Sequence, residues 1–153
     1  MVATRRKLNL RAESGPGDPV GVGDEDADDA TELLDMEDGY VTVYLRTRFT
    51  VVDAAAVTSL FLNVNYDDGF VAYINGSEVA RANVPVGQTN TTPTTTTHEA
   101  GTFETFDLSA FRNRLVSGVN FLAVEGHNAS LTNSDFSLHP ELVIASGSGG
   151  GSG

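Results

Sequence analysis

The chain has 153 residues and a formal net charge of −12, from 21 acidic and 9 basic side chains, and it contains no cysteine. One domain accounts for this length, since single cores of about 100–200 residues are typical before chains divide. The negative charge excludes nucleic acid as a partner, and the lack of cysteine excludes thiolate metal sites, disulfides and thiol nucleophiles.

The first 39 residues contain few apolar positions and predict a mostly irregular N-terminal region. Residues 7–11 alternate polar and apolar side chains, which permits one edge strand. Residues 31–36 fit either a short strand or a single helical turn. Between them, residues 24–29 form the acidic run Asp-Glu-Asp-Ala-Asp-Asp.

From residue 40 onward the pattern becomes that of β-strands. Residues 40–52 are rich in β-branched and aromatic side chains, and their alternation predicts a long strand with one face toward solvent. Residues 57–66 repeat the pattern, with Leu60, Leu62 and Val64 on one face.

A β-hairpin is predicted over residues 70–80. Asn75 and Gly76 supply the two positive-φ positions of a type I′ turn between alternating strands. Asp67, Asp68 and Gly69 supply another turn just before it, so residues 57–81 are expected to form a three-stranded antiparallel meander. In that turn the aspartate side chains are expected to bond nearby backbone amides.

The C-terminal half continues the β pattern after a polar loop. Residues 85–97, rich in threonine and proline, predict an exposed loop, and residues 103–108 predict a strand. Ser109 is expected to cap a short helix that ends before Gly118. Residues 120–127 and 136–144 predict the last two strands. About eight strands and one short helix indicate an all-β, antiparallel sandwich.

Two stretches of sequence suggest a family. Residues 66–81 read Tyr-Asp-Asp-Gly-Phe-Val-Ala-Tyr-Ile-Asn-Gly-Ser-Glu-Val-Ala-Arg, and residues 118–128 read Gly-Val-Asn-Phe-Leu-Ala-Val-Glu-Gly-His-Asn. With Ser-Asp-Phe at 134–136, they resemble the galactose-binding-domain-like jelly rolls that are appended to secreted bacterial hydrolases and surface proteins. The resemblance covers residues 21–144.

The resemblance implies a jelly-roll β-sandwich over residues 21–145, preceded by an irregular segment, 1–20, that holds at most one edge strand. Residues 146–153, all glycine and serine, are interpreted as an engineered flexible linker. The implied role is a non-catalytic accessory module of a larger secreted or cell-surface bacterial protein. Its implied partner is a polysaccharide or surface glycan. Membrane insertion is not expected, because no apolar window reaches about 18 residues.

Calcium is the cofactor that the resemblance implies, in a structural role. Calcium-stabilised jelly rolls take oxygen ligands from an early loop and a late strand. In this sequence the corresponding residues are Asp24, Asp26 and Asp29, with Glu125 or Glu141. The alternative is a solvated acidic loop that only prevents association.

Sugar binding requires an aromatic platform beside groups that bond hydroxyls. The chain has no tryptophan, so a tyrosine such as Tyr73 would have to provide the platform. Arg81 and Asn83 follow the hairpin, and His127 and Asn128 end a late strand, so these four form the candidate polar group. The alternative is that they brace the threonine-rich loop from inside the fold.

No catalytic motif is present. The three histidines are scattered, and there is no Gly-x-Ser-x-Gly elbow, no phosphate loop and no carboxylate pair that the sequence singles out. Enzymatic activity is therefore not expected. Two functions remain open, a carbohydrate-binding module and a structural or protein-interaction β-sandwich. Only the first requires an exposed aromatic side chain next to convergent polar groups.

Overall fold

The computed structural model describes residues 4–9, 20–22, 31–32, 36–133 and 135–147. Ten strands occur in these ranges: β1 Thr4–Asn9, β2 Val20–Val22, β3 Thr31–Glu32, β4 Thr42–Val51, β5 Val57–Asp67, β6 Gly69–Ile74, β7 Ser77–Ala82, β8 Glu104–Asp107, β9 Gly118–His127 and β10 Phe136–Ser146. Two short 3-10 helices, Ala54–Ala56 and Ser109–Arg114, lie between strands. None of the helices in these ranges has the length and apolar character to span a membrane.

The strands form two sheets. One has the order β3-β2-β10-β5-β8, with β1 also paired to β10, and the other has the order β4-β9-β6-β7. Every pair is antiparallel except β2 with β3, which is parallel. The all-β sandwich is therefore confirmed, and the jelly-roll connectivity stays a prediction.

The core lies between the two sheets. On β5, Leu60, Leu62 and Val64 are 0% exposed, which confirms the face predicted for them. Alternate positions of β9 complete the layer, with Leu122 and Val124 buried. The largest other buried side chains are Phe70, Phe136, Met36, Leu45, Ile74, Leu108, Leu138 and Leu142.

The predicted β6–β7 hairpin is confirmed. Asn75 has a φ of 49° and Gly76 a φ of 84°, as the type I′ turn requires. The Asn75 side chain also ties this turn to β9, because its Oδ1 accepts from the Phe121 amide at 2.9 Å and its Nδ2 donates to Asn120 Oδ1 at 2.9 Å.

The predicted three-stranded meander is wrong. β5 belongs to the six-stranded sheet, whereas β6 belongs to the four-stranded sheet, so the chain crosses from one sheet to the other at Asp67 and Asp68. A hairpin and a corner between sheets have the same alternation of polar and apolar residues on either side. Only the packing of both strands on the core distinguishes them.

The short helix differs from the prediction in its type and its cap. It is a 3-10 helix, and Asp107 Oδ1 accepts from the Ser109 amide at 2.9 Å. Ser109 was predicted to be the cap, but its hydroxyl instead accepts from the Leu60 amide at 3.1 Å, which links the helix to β5.

The chain ends also refine the predicted boundaries. The edge strand predicted over residues 7–11 is present as β1, which covers Thr4–Asn9 and pairs with β10, and the segment at 31–36 contains the short strand β3. At the other end, Ser146 belongs to β10, and the Gly147 amide donates to Ala56 O at 2.9 Å. The first two residues of the predicted linker at 146–153 therefore contact the fold, and residues 148–153 lie outside the described ranges.

Candidate functional site

The outer face of the four-stranded sheet carries exposed aromatic and cationic side chains. Strand alternation turns Tyr44 and Arg46 of β4 away from the core that Leu45 enters. On the neighbouring β9, Phe121 faces the same way. Tyr44 is 59% exposed and Phe121 is 38% exposed, values that are high for side chains of this size.

A hollow lies in this face because a small residue stands between two large ones. The cross-strand register places Ala123 of β9 opposite Arg46 on one side and opposite Tyr73 of β6 on the other. The single methyl group of Ala123 leaves a depression of about 480 Å³, which we call the Ala123 hollow. It is lined by Arg46, Tyr73, Asn75, Gly76, Phe121 and Ala123.

The Tyr73 wall of the hollow is held in place by hydrogen bonds. Its hydroxyl donates to Glu125 Oε1 at 3.1 Å, and Gln88 Nε2 donates both to the Tyr73 hydroxyl at 2.8 Å and to Glu125 Oε2 at 3.0 Å. Burial, and then the negative charge of Glu125, raise the pKa of Tyr73, so its phenol stays neutral. The ring is therefore oriented before any ligand arrives.

The opposite wall is formed by Arg46 and Phe121. The guanidinium carbon of Arg46 lies 4.4 Å from the Phe121 ring centroid, a cation–π arrangement. Arg48 lies directly opposite Phe121 in the β4–β9 register, one position further along the same face. A cation and an aromatic ring thus occupy one wall together.

The predicted ligand residues His127 and Asn128 lie inside the fold. Their exposed fractions are 0% and 1%. His127 Nδ1 lies 2.7 Å from Thr92 O, and Asn128 O accepts from the Thr94 amide at 3.1 Å. Both residues therefore hold the loop at residues 85–97, whose predicted exposure is confirmed at most of its positions.

Arg81 and Asn83 contact the same loop and the turn before β6. Arg81 donates to Pro85 O at 2.9 Å and forms an ion pair with Glu78. Asn83 Nδ2 donates to Asp68 O at 3.0 Å, and Asn83 O accepts from the Thr95 amide at 2.8 Å. These contacts are the ones expected if the residues brace the threonine-rich loop from inside the fold. Of the five predicted ligand residues, Tyr73 lines the hollow, and ligand binding by the other four stays a prediction.

Asp68 is a structural acceptor at the sheet-to-sheet corner. It is 1% exposed, and it accepts from the amides of His98 and Ala129, both at 2.9 Å, and from Asn133 Nδ2 at 3.1 Å. The expected bonding of backbone amides is confirmed, but the partners are 30 or more residues away, not in the same turn.

Asp67 lies in a cluster of carboxylates. It is 6% exposed, and its carboxylate oxygen, with one from Glu99 and one from Asp135, belongs to a set lying within 4.8 Å of one another. Burial, followed by the Asp68 carboxyl and the charges of Glu99 and Asp135, raises the pKa of Asp67 to about 8. A set of carboxylate oxygens matches the ligand chemistry that calcium prefers.

Among the described residues, none of the predicted calcium ligands belongs to this cluster. Asp24, Asp26 and Asp29 lie outside the described ranges. Glu125 is bonded to Tyr73 and Gln88 on the four-stranded sheet, and Glu141 lies on β10 in the other sheet. Calcium binding by the predicted set stays a prediction.

Sequence reasoning missed Arg46, Phe121 and Ala123. Alternation along β4 and β9 could have placed each of them on a solvent face. Their meeting at one hollow depends on the pairing of β4 with β9 and its register, which local patterns do not specify.

Comparison with known proteins finds similarity to solved structures only. No family model and no curated protein matches it. Among solved structures, the chain is similar to an α-L-rhamnosidase from Aspergillus terreus, with 16% identity and a TM-score of 0.45 over 90% of this chain and 14% of that one. A β-D-glucuronidase from Dictyoglomus thermophilum has 14% identity and a TM-score of 0.47 over 94% and 28%.

A third similar structure is the PA14 domain of the antifreeze protein MpAFP, with 17% identity and a TM-score of 0.38 over 73% of this chain and 45% of that one. The chain thus spans less than half the length of each of these three proteins.

Proposed function

We propose that this chain is a non-catalytic accessory module that binds carbohydrate at the Ala123 hollow. The observation that carries the proposal is the exposed Phe121 ring beside Arg46 in the wall of the hollow, with the exposed Tyr44 on the same sheet face. This is the feature that a carbohydrate-binding module requires and that a purely structural sandwich does not.

The chemistry of the hollow suits a sugar ring. The C–H face of a pyranose packs against an aromatic ring, and its hydroxyl groups accept hydrogen bonds from a guanidinium. The volume of about 480 Å³ lies within the range of about 300–1,000 Å³ that is usual for small-ligand sites. Because Gln88 and Glu125 already orient Tyr73, this side chain loses little conformational freedom when the sugar binds.

The proposed setting is a larger secreted or cell-surface bacterial protein whose other domains act on a glycan. A module that holds such a protein on a polysaccharide raises the local concentration of substrate at the attached domain, even with modest affinity of its own. The catalytic step belongs to the parent protein in this proposal.

A structural or protein-interaction role, stiffened by calcium, is the second candidate. Asp67 favours it, since this buried carboxyl lies among the carboxyl groups of Asp68, Glu99 and Asp135. A cation would relieve the repulsion among these groups. Calcium binding at this cluster is therefore the second proposal.

Isothermal titration calorimetry with soluble neutral and acidic polysaccharides tests the carbohydrate proposal. Ala123→Leu fills the hollow, so binding should fall at least tenfold. Ala110→Leu is the matched control, since Ala110 is exposed on the second 3-10 helix, beside the other sheet. Absence of binding to every polysaccharide, or equal affinities of the two variants, would overturn the proposal.

A further inference from the structure

The side chains that line the Ala123 hollow carry one positive charge, although the whole chain is acidic. Acids outnumber bases by 21 to 9, yet Arg46 is the only acid or base among the lining residues apart from the neutral Tyr73 phenol. Within the described ranges, neither Arg46 nor Arg48 lies within ion-pair distance of a carboxylate.

Two carboxylates lie near this part of the sheet, and neither lines the hollow, although the negative charge of Glu125 acts on Tyr73. Glu125 accepts from Tyr73 and Gln88, and it does not line the hollow. Glu78 is paired with Arg81. Exposed charges further away are screened over about 8 Å at physiological ionic strength, so the net charge of the chain does not decide the local field.

Arg46 and Arg48 are like charges on the same face of one strand. The Cα atoms of residues two apart on a strand are about 7 Å apart, so the two arginines place like charges over the same region of the sheet. An anion bound there would be attracted by both side chains. The planar N–H fork of arginine matches carboxylate and sulfate groups, which accept two parallel hydrogen bonds.

We propose that the saccharide bound in the Ala123 hollow carries an anionic group, a carboxylate or a sulfate, which Arg46 binds with the support of Arg48. This inference rests on the proposed carbohydrate-binding function and adds the class of sugar. The sugar ring lies against Phe121 and Tyr73, and the anionic group lies at the Arg46 end.

The test compares polymers that differ only in charge. Calorimetric titrations use sodium polygalacturonate against its fully methyl-esterified form, and dextran sulfate against dextran. The acidic member of at least one pair should bind at least tenfold more tightly than its neutral counterpart. The pair that shows the difference identifies the anionic group.

Arginine variants locate the effect. Arg46→Gln should weaken binding of the acidic polymer at least tenfold, and Arg48→Gln should weaken it less. Arg112→Gln makes the same charge change at an exposed site on the second 3-10 helix and should bind like the parent chain. Circular dichroism and thermal melts confirm that each variant is folded.

Two results would overturn the inference. One is equal affinity for the acidic and neutral member of both pairs, and the other is an equal effect of Arg46→Gln and Arg112→Gln. If neutral polymers bind and Ala123→Leu abolishes that binding, the carbohydrate function stands and only the anionic class is wrong. If no polymer binds, both proposals fail together.

Discussion

Two polar regions of this sandwich differ in what their polar atoms contact. At the corner between the sheets, Asp68 is buried and its carboxylate accepts three hydrogen bonds from within the chain. At the Ala123 hollow, Arg46 is exposed and its guanidinium lies over the face of Phe121, with no side-chain hydrogen bond or ion pair among the described residues. The Asp68 carboxylate already accepts hydrogen bonds from the chain itself, whereas the N–H groups of Arg46 are available to a ligand.

This difference separates structural polar groups from groups that are free to bind a ligand. A buried acceptor whose partners are all internal can bind a ligand only by giving up those bonds, at a cost of about 1–3 kcal/mol for each group left unsatisfied. An exposed guanidinium loses only water. The residues of the loop brace, His127 among them, belong with Asp68 in this respect.

The largest effect should come from Asp68→Ala. The change leaves the His98 and Ala129 amides and the Asn133 side chain without their acceptor, which should lower the free energy of unfolding by about 3 kcal/mol or more. Urea denaturation followed by circular dichroism measures the loss. Asp68→Asn keeps the shape and one acceptor oxygen, so it should be less destabilising. A loss below about 1 kcal/mol in the alanine variant would show that the corner is not held by this carboxylate.

The next effect is a pH dependence that Asp67 imposes. Its pKa is raised to about 8 in the folded chain, above the ordinary value of 3.8, so the folded state retains a proton that the unfolded state has released. The contribution of Asp67 is therefore fully present below pH 3.8 and is lost as pH rises toward about 8. The slope is on the order of 1 kcal/mol per pH unit.

Asp67→Asn provides the comparison, because the amide cannot ionise. The stability of this variant relative to the parent chain should increase from pH 5 to pH 8, as measured by thermal melts. A constant difference across that range would contradict the raised pKa. Millimolar calcium at pH 8 should stabilise the parent chain and not Asp67→Asn, with reversal by EDTA. Equal stabilisation of both would place calcium away from this cluster.

Much of the fold could be predicted from local signals. The Asn75-Gly76 turn and the alternation of Leu60, Leu62 and Val64 each depend on residues close in sequence, and each prediction is confirmed. The pattern at Asp67 and Asp68 predicts a hairpin turn, but these residues form the corner between the two sheets. Its role depends on amides 30 and 61 residues further along the chain, which no local pattern reveals.

The candidate site was less predictable for the same reason. The sequence predicts ligand binding by polar residues near turns, namely Arg81, Asn83, His127 and Asn128. In the structure all four hold a loop. The hollow needs a small side chain at the position opposite two large ones on adjacent strands. Ala123 gives no signal of its own, because its significance comes only from the registers of β4, β9 and β6.

The smallest expected effect is a difference in the free energy of unfolding between variants of a buried and an exposed tyrosine. Tyr66 is 3% exposed, donates to Glu104 Oε2 at 2.8 Å and stacks on His98 at 4.0 Å, so Tyr66→Phe should lower the free energy of unfolding by about 1 kcal/mol. Tyr44 is 59% exposed, and Tyr44→Phe should change the stability by less than about 0.5 kcal/mol.

Changes in polysaccharide affinity should show the opposite order, with the larger change at Tyr44. Tyr44→Ala removes an aromatic surface beside the hollow, so the affinity for the polysaccharide that binds the parent chain should fall severalfold while the melting temperature stays the same. Tyr66→Phe should lower the melting temperature and leave the affinity unchanged. If Tyr44→Ala binds as the parent chain does, its ring is not part of the platform, and contact with the sugar is restricted to Phe121 and Tyr73 in the hollow itself.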